Sequence, residues 1–94
     1  MKDKVTEDRL ARYFRLTEQA FEKAKTSKED VKLENTRDKI LDMAKRYIDD
    51  AKHFKEKGDF VTAFSALSYA HGLLDAGALI GAFDVHDSDL FIVD

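Results

Sequence analysis

Apolar residues recur at helical spacing in three stretches of the chain. Over about residues 6–27, Leu10, Tyr13, Phe14, Ala20, Phe21 and Ala24 follow one another at three- and four-residue steps, which gathers them on one helix face. Thr6 has an N-cap side chain, and Glu7 and Asp8 suit the positive end of the helix dipole. The period is lost from Thr26 to Asn35, a polar connection. A second helix is expected over about 36–57, with Ile40, Met43, Ala44, Tyr47, Ile48, Ala51 and Phe54 as its apolar stripe. Gly58 then offers a left-handed helix end, and Asp59 can cap the next helix. A corner this short forces the second and third helices into an antiparallel hairpin.

The third helix, expected over about 60–83, has a different pattern. Asp75 is its one charged residue, and apolar positions cover nearly its whole circumference. Burial on more than one side is therefore expected, with this helix between the other two or against a second copy of itself. Small residues along the helix, Ala63, Ser65, Ala66, Ser68, Ala70, Gly72, Ala76, Gly77, Ala78, Gly81 and Ala82, let neighbouring backbones approach closely. The tail, 84–94, ends in a short β-prone run, Leu90 to Val93, expected to lie in a groove of the bundle or to pair with its twin. The pattern as a whole predicts one all-α domain over 1–94, an up-and-down three-helix bundle with a short C-terminal extended tail.

Composition narrows the chemistry. The 94 residues are 44% hydrophobic and 37% charged, which suits a soluble helical domain. Cysteine is absent, which excludes disulfides, thiol catalysis and cysteine-ligated metals. All sixteen Lys and Arg lie at or before Lys57, so residues 1–58 carry a net +3 and residues 59–94 a net −6. The total of −3 argues against a nucleic-acid footprint over the whole domain. A membrane span is also disfavoured. Asp75, His71 and several hydroxyl residues interrupt the third helix, and an aspartate at mid-bilayer costs about 3 kcal/mol. Met1, Lys2, Asp3 and Lys4 begin no signal peptide, so a cytoplasmic location is expected.

The run Tyr47-Ile48-Asp49-Asp50-Ala51-Lys52-His53-Phe54, the corner Gly58-Asp59, the pair Ala63-Phe64 and the run Tyr69-Ala70-His71-Gly72-Leu73-Leu74-Asp75-Ala76-Gly77 resemble the family known as domain of unknown function 357. The resemblance is strong over about a third of the chain and looser over most of the rest. It implies an up-and-down three-helix bundle, an archaeal source and no established activity, and it brings no catalytic residues to carry over.

His71 and Asp75, spaced i,i+4 on the apolar helix, form a pair suited either to acid–base or metal chemistry or to satisfying each other. With the corner at Gly58, residues facing each other across the hairpin have numbers summing to about 116 or 117. That register sets Asp75 near Lys39, Lys45 or Arg46. It also offsets the pair from Asp49 and His53 by about seven residues, or ~10 Å along the helix. The two pairs are then too far apart to share an ion, and no metal or cofactor is expected. Arg9, Arg12 and Arg15, with Lys2 and Lys4, offer a basic strip to RNA phosphates, although Asp8 and Glu18 flank it. The leading expectation is a non-enzymatic protein–protein interaction or self-association module, with a second copy or another protein as partner. The alternatives are an RNA-associated protein using the basic residues of helices one and two, and a small enzyme using His71 and Asp75.

Overall fold

A computed structural model describes residues 5–28 and 34–94. Lys2 and Lys4 of the basic strip, and residues 29–33 of the polar connection, lie outside the described residues. Thr6 caps the first helix, α1 (Glu7–Lys25), by accepting the Arg9 N–H on its hydroxyl oxygen at 3.2 Å. The second helix, α2, spans Thr36–Glu56, and the third, α3, spans Phe60–Leu79. Gly58 between them has φ +79°, the left-handed conformation that an L side chain disfavours. There the Gly58 N–H bonds to the Lys55 carbonyl at 3.0 Å and the Asp59 N–H to the Phe54 carbonyl at 2.9 Å, which closes α2. The Asp59 carboxylate then accepts the Thr62 N–H at 3.2 Å and opens α3. Two residues thus end one helix and begin the next, and the expected hairpin follows.

Small residues form the seam between α2 and α3. Ala44 and Ala51 on α2, and Ala63, Ala70 and Gly77 on α3, are buried. On each helix these positions are seven apart, the spacing that keeps one edge facing a nearly antiparallel neighbour over several turns. The register is the expected one. Tyr47 faces Tyr69 with ring centroids 4.4 Å apart, and a Cβ added at Gly77 would lie 3.2 Å from Ile40 Cδ1.

The expectation that α3 lies between two helices is corrected. Among the described residues, no Cα of α1 comes within 8 Å of a Cα in α2 or α3, and α1 buries no residue. The physical reason lies on α3. Its close-packing edge is one helix wide and is taken by α2. What α3 turns toward α1 is Val61, Thr62 and Ser65, which face Leu10 and Tyr13 across an open cleft and not in close packing.

The end of α3 is also corrected, from Phe83 back to Leu79. Gly81 takes φ +76°, its N–H bonds to the Ala78 carbonyl at 3.2 Å, and the Ala82 N–H reaches the Gly77 carbonyl at 2.8 Å. This glycine-terminated motif turns the chain back, so that Phe83 lies over Gly77. The β-prone run forms no strand. The Leu90 and Phe91 N–H groups both bond to the Asp87 carbonyl, a tight turn that brings the Phe91 ring to 6.4 Å from that of Phe83. Among the described residues, no helix is long and apolar enough to cross a membrane.

Candidate functional site

The His71–Asp75 pair lies near the C-terminal end of α3, where the tail returns. His71 Nε2 is 3.8 Å from Asp75 Oδ1, beyond hydrogen-bond distance. The same carboxylate oxygen accepts the Ile92 main-chain N–H at 3.0 Å. Asp75 is half-buried and holds a tail residue seventeen positions further along the chain. Two of the three cations that the register sets near it are engaged elsewhere. Lys45 donates to Asp49 at 2.9 Å and Arg46 pairs with Asp42 at 3.1 Å, both at i,i+4 on α2. Lys39 is exposed and has no ion pair among the described residues. The hydrogen bond from Lys45 holds the Asp49 carboxyl below its ordinary range, and the same bond raises the Lys45 ammonium.

A second clasp closes the tail on itself. His86 Nδ1 lies 2.9 Å from the Asp94 main-chain oxygen, and Nε2 lies 2.6 Å from Asp84 Oδ1. Both neighbours are acceptors, so only the protonated imidazolium, with two N–H groups, satisfies both. The bond to Asp94 first, and then Asp84, raise the His86 pKa above its ordinary 6.5. A raised histidine pKa stabilises the folded tail fully below the unfolded value, and this contribution is lost as pH rises through the folded value. The tail is therefore expected to be cut by a non-specific protease more slowly at pH 5.5 than at pH 8.5. His86→Gln should remove that difference, and an unchanged pH response in this variant would assign the effect to another group.

The other candidates are dispersed. Arg9, Arg12 and Arg15 stand on exposed α1 without ion pairs among the described residues. Arg9 borders an open cleft of about 520 Å³ between α1 and α3, with Leu10, Tyr13 and Thr62. Asp49 is occupied by Lys45, and His53 packs edge-on against Phe54 with ring centroids 5.6 Å apart. Among the described residues, no three His, Asp or Glu side chains converge as metal ligands.

Sequence reasoning missed a groove on one side of the hairpin. Ala51 and Ala63 lie at its floor, Phe60, Phe64 and Leu67 along α3, and Lys52 and Lys55 at its α2 rim, enclosing about 350 Å³. Its signal was the run of apolar positions around all of α3. That run marked more apolar surface than one partner covers, but not which side would stay open.

A family model described as "Protein of unknown function (DUF357)" matches residues 12–83, from within α1 to the phenylalanine that lies over Gly77. No curated protein and no solved structure matches the chain.

Proposed function

The chain belongs to the DUF357 family, whose description assigns no function, and from that footing we propose that it is a non-enzymatic interaction module that pairs with a second copy of itself. One observation carries this reading: Phe60 and Phe64 are 60% and 72% exposed, side by side with Leu67 on an open groove. Single exposed apolar residues are ordinary, whereas large aromatic groups gathered on a groove mark an association surface. A second copy suits it because each chain offers both a ridge, Phe60 and Phe64, and a shallow floor, Ala51 and Ala63. A two-fold axis can then seat the ridge of each copy over the floor of the other.

The other readings have less support. The hydrogen bond from Ile92 gives Asp75 a structural task, which weighs against acid–base chemistry with His71. Glu7, Asp8 and Glu18 interrupt the field of Arg9, Arg12 and Arg15, which weakens the case for RNA. Light scattering on the chromatographed protein is expected to give the mass of a dimer at high concentration. Phe64→Glu should give a monomer with unchanged helical circular dichroism. A strict monomer in the parent chain, or an unchanged dimer in the variant, would overturn the proposal.

A further inference from the structure

All three tyrosines of the chain border one open cleft, on the side of the hairpin away from the apolar groove. Tyr47 and Tyr69 meet across the seam with centroids 4.4 Å apart and planes tilted by 38°, so the two rings form a wedge. Tyr13 borders the cleft from α1, and Phe54 extends the aromatic wall along α2. The cleft holds about 370 Å³, and its one charged lining residue is Asp50. Asp50 is exposed and has no ion pair among the described residues, and Lys45 and Arg46, earlier on the same helix, are paired with Asp49 and Asp42. Arg9 lines the adjoining cleft and not this one.

Four aromatic side chains and one carboxylate without an ion pair line the cleft, an environment for a cation. The face of an aromatic ring is the negative part of its quadrupole and attracts a positive charge lying over it. A small metal ion or a bare ammonium is strongly hydrated and loses too much on entering such a wall. An alkylated ammonium is weakly hydrated, spreads its charge over its methyl groups, and buries those groups against the rings. We propose that the cleft between Tyr13, Tyr47 and Tyr69 binds a small, freely soluble quaternary ammonium ion, with Asp50 as its counter-ion. This binding is independent of self-association, which uses the opposite side of the hairpin.

The chain has no tryptophan, so its intrinsic fluorescence arises from these three tyrosines, and the whole signal reports on the cleft. Choline chloride titrated into the full chain is expected to change that fluorescence saturably. The neutral isostere 3,3-dimethyl-1-butanol, with the same shape and no charge, should give no saturable change over the same range. Asp50→Asn should weaken choline about fivefold or more. Tyr47→Phe should bind as the parent does and Tyr47→Leu should not, because the ring face and not the hydroxyl makes the contact. The exposed Asp50 variant is expected to keep its helical circular dichroism, so lost binding there is not lost folding. No saturable change with choline, an equal response to the neutral isostere, or an Asp50→Asn variant that binds as well as the parent would each overturn the proposal. Binding to phosphatidylcholine vesicles without binding to free choline would overturn it also, since the site would then serve a lipid headgroup.

Discussion

Ala70→Asp is expected to abolish the cooperative thermal transition of the helices. Ala70 is 2% exposed and lies in the middle of the seam, among the alanines and the glycine that α2 and α3 bury against each other. A carboxylate there has no cation beside it, since Lys45 and Arg46 are held by acids of their own helix. A buried charge without a partner costs about 3–5 kcal/mol. A domain of this size has a total stability near the lower end of about 5–15 kcal/mol. The loss therefore consumes most of what holds the hairpin together. Ser68→Asp, two residues earlier on the exposed side of α3, is the matched control and should shift stability by no more than about 0.5 kcal/mol. Thermal melts followed by circular dichroism would separate the two. Equal melting temperatures would show that the seam at Ala70 is not closed.

Gly77→Leu is expected to release the tail and to destabilise the chain by about 2 kcal/mol, the balance of three effects. A Cβ at position 77 would lie 2.5 Å from Phe83 Cζ and 3.2 Å from Ile40 Cδ1, so the larger side chain must displace Phe83 and press on α2. Overpacking of this kind costs about 1–3 kcal/mol. Expelling the Phe83 ring loses a further part of the ~1.5–3 kcal/mol that full burial of such a side chain is worth. Against these stands the helix propensity gained on replacing glycine, about 0.8–1 kcal/mol. Gly72→Ala isolates that gain, because nothing lies within 4 Å of a Cβ there, and it should be neutral or stabilising. In Gly77→Leu, proteolysis within residues 84–94 should accelerate while the helical signal persists. A tail that stays protected would mean that Phe83 is not seated on Gly77.

Local chemistry was the part of the fold that the sequence made legible. Thr6, Gly58 and Asp59 act within three or four residues of themselves, and each does what its side chain or its lack of one predicts. The hairpin register followed from the corner alone, and Tyr47 on Tyr69 obeys it. The end of α3 was misjudged because Ala82 and Phe83 continue the apolar pattern past Gly81, while the backbone turns at the glycine. The place of α1 was not legible, because periodicity reveals an apolar face without saying what covers it. At the candidate site, the spacing of His71 and Asp75 was visible, yet the group that bonds Asp75 is a main-chain N–H seventeen residues away. No side-chain pattern announces such a donor. Lys45 was assigned across the hairpin by register, while an acid one turn away on its own helix holds it.

Hydrogen exchange resolved along the chain distinguishes the packed pair α2 and α3 from α1, which borders that pair across open clefts without close packing. The amides of α2 and α3 around Ala44, Ala51, Ala63 and Ala70 are expected to exchange slowly and together, as one cooperative unit. Those of Glu7–Lys25 are expected to exchange orders of magnitude faster, as in an exposed helix that opens by itself. Protection of α1 equal to that of α3, in protein dilute enough to be monomeric, would mean that α1 is packed into the same unit as α2 and α3.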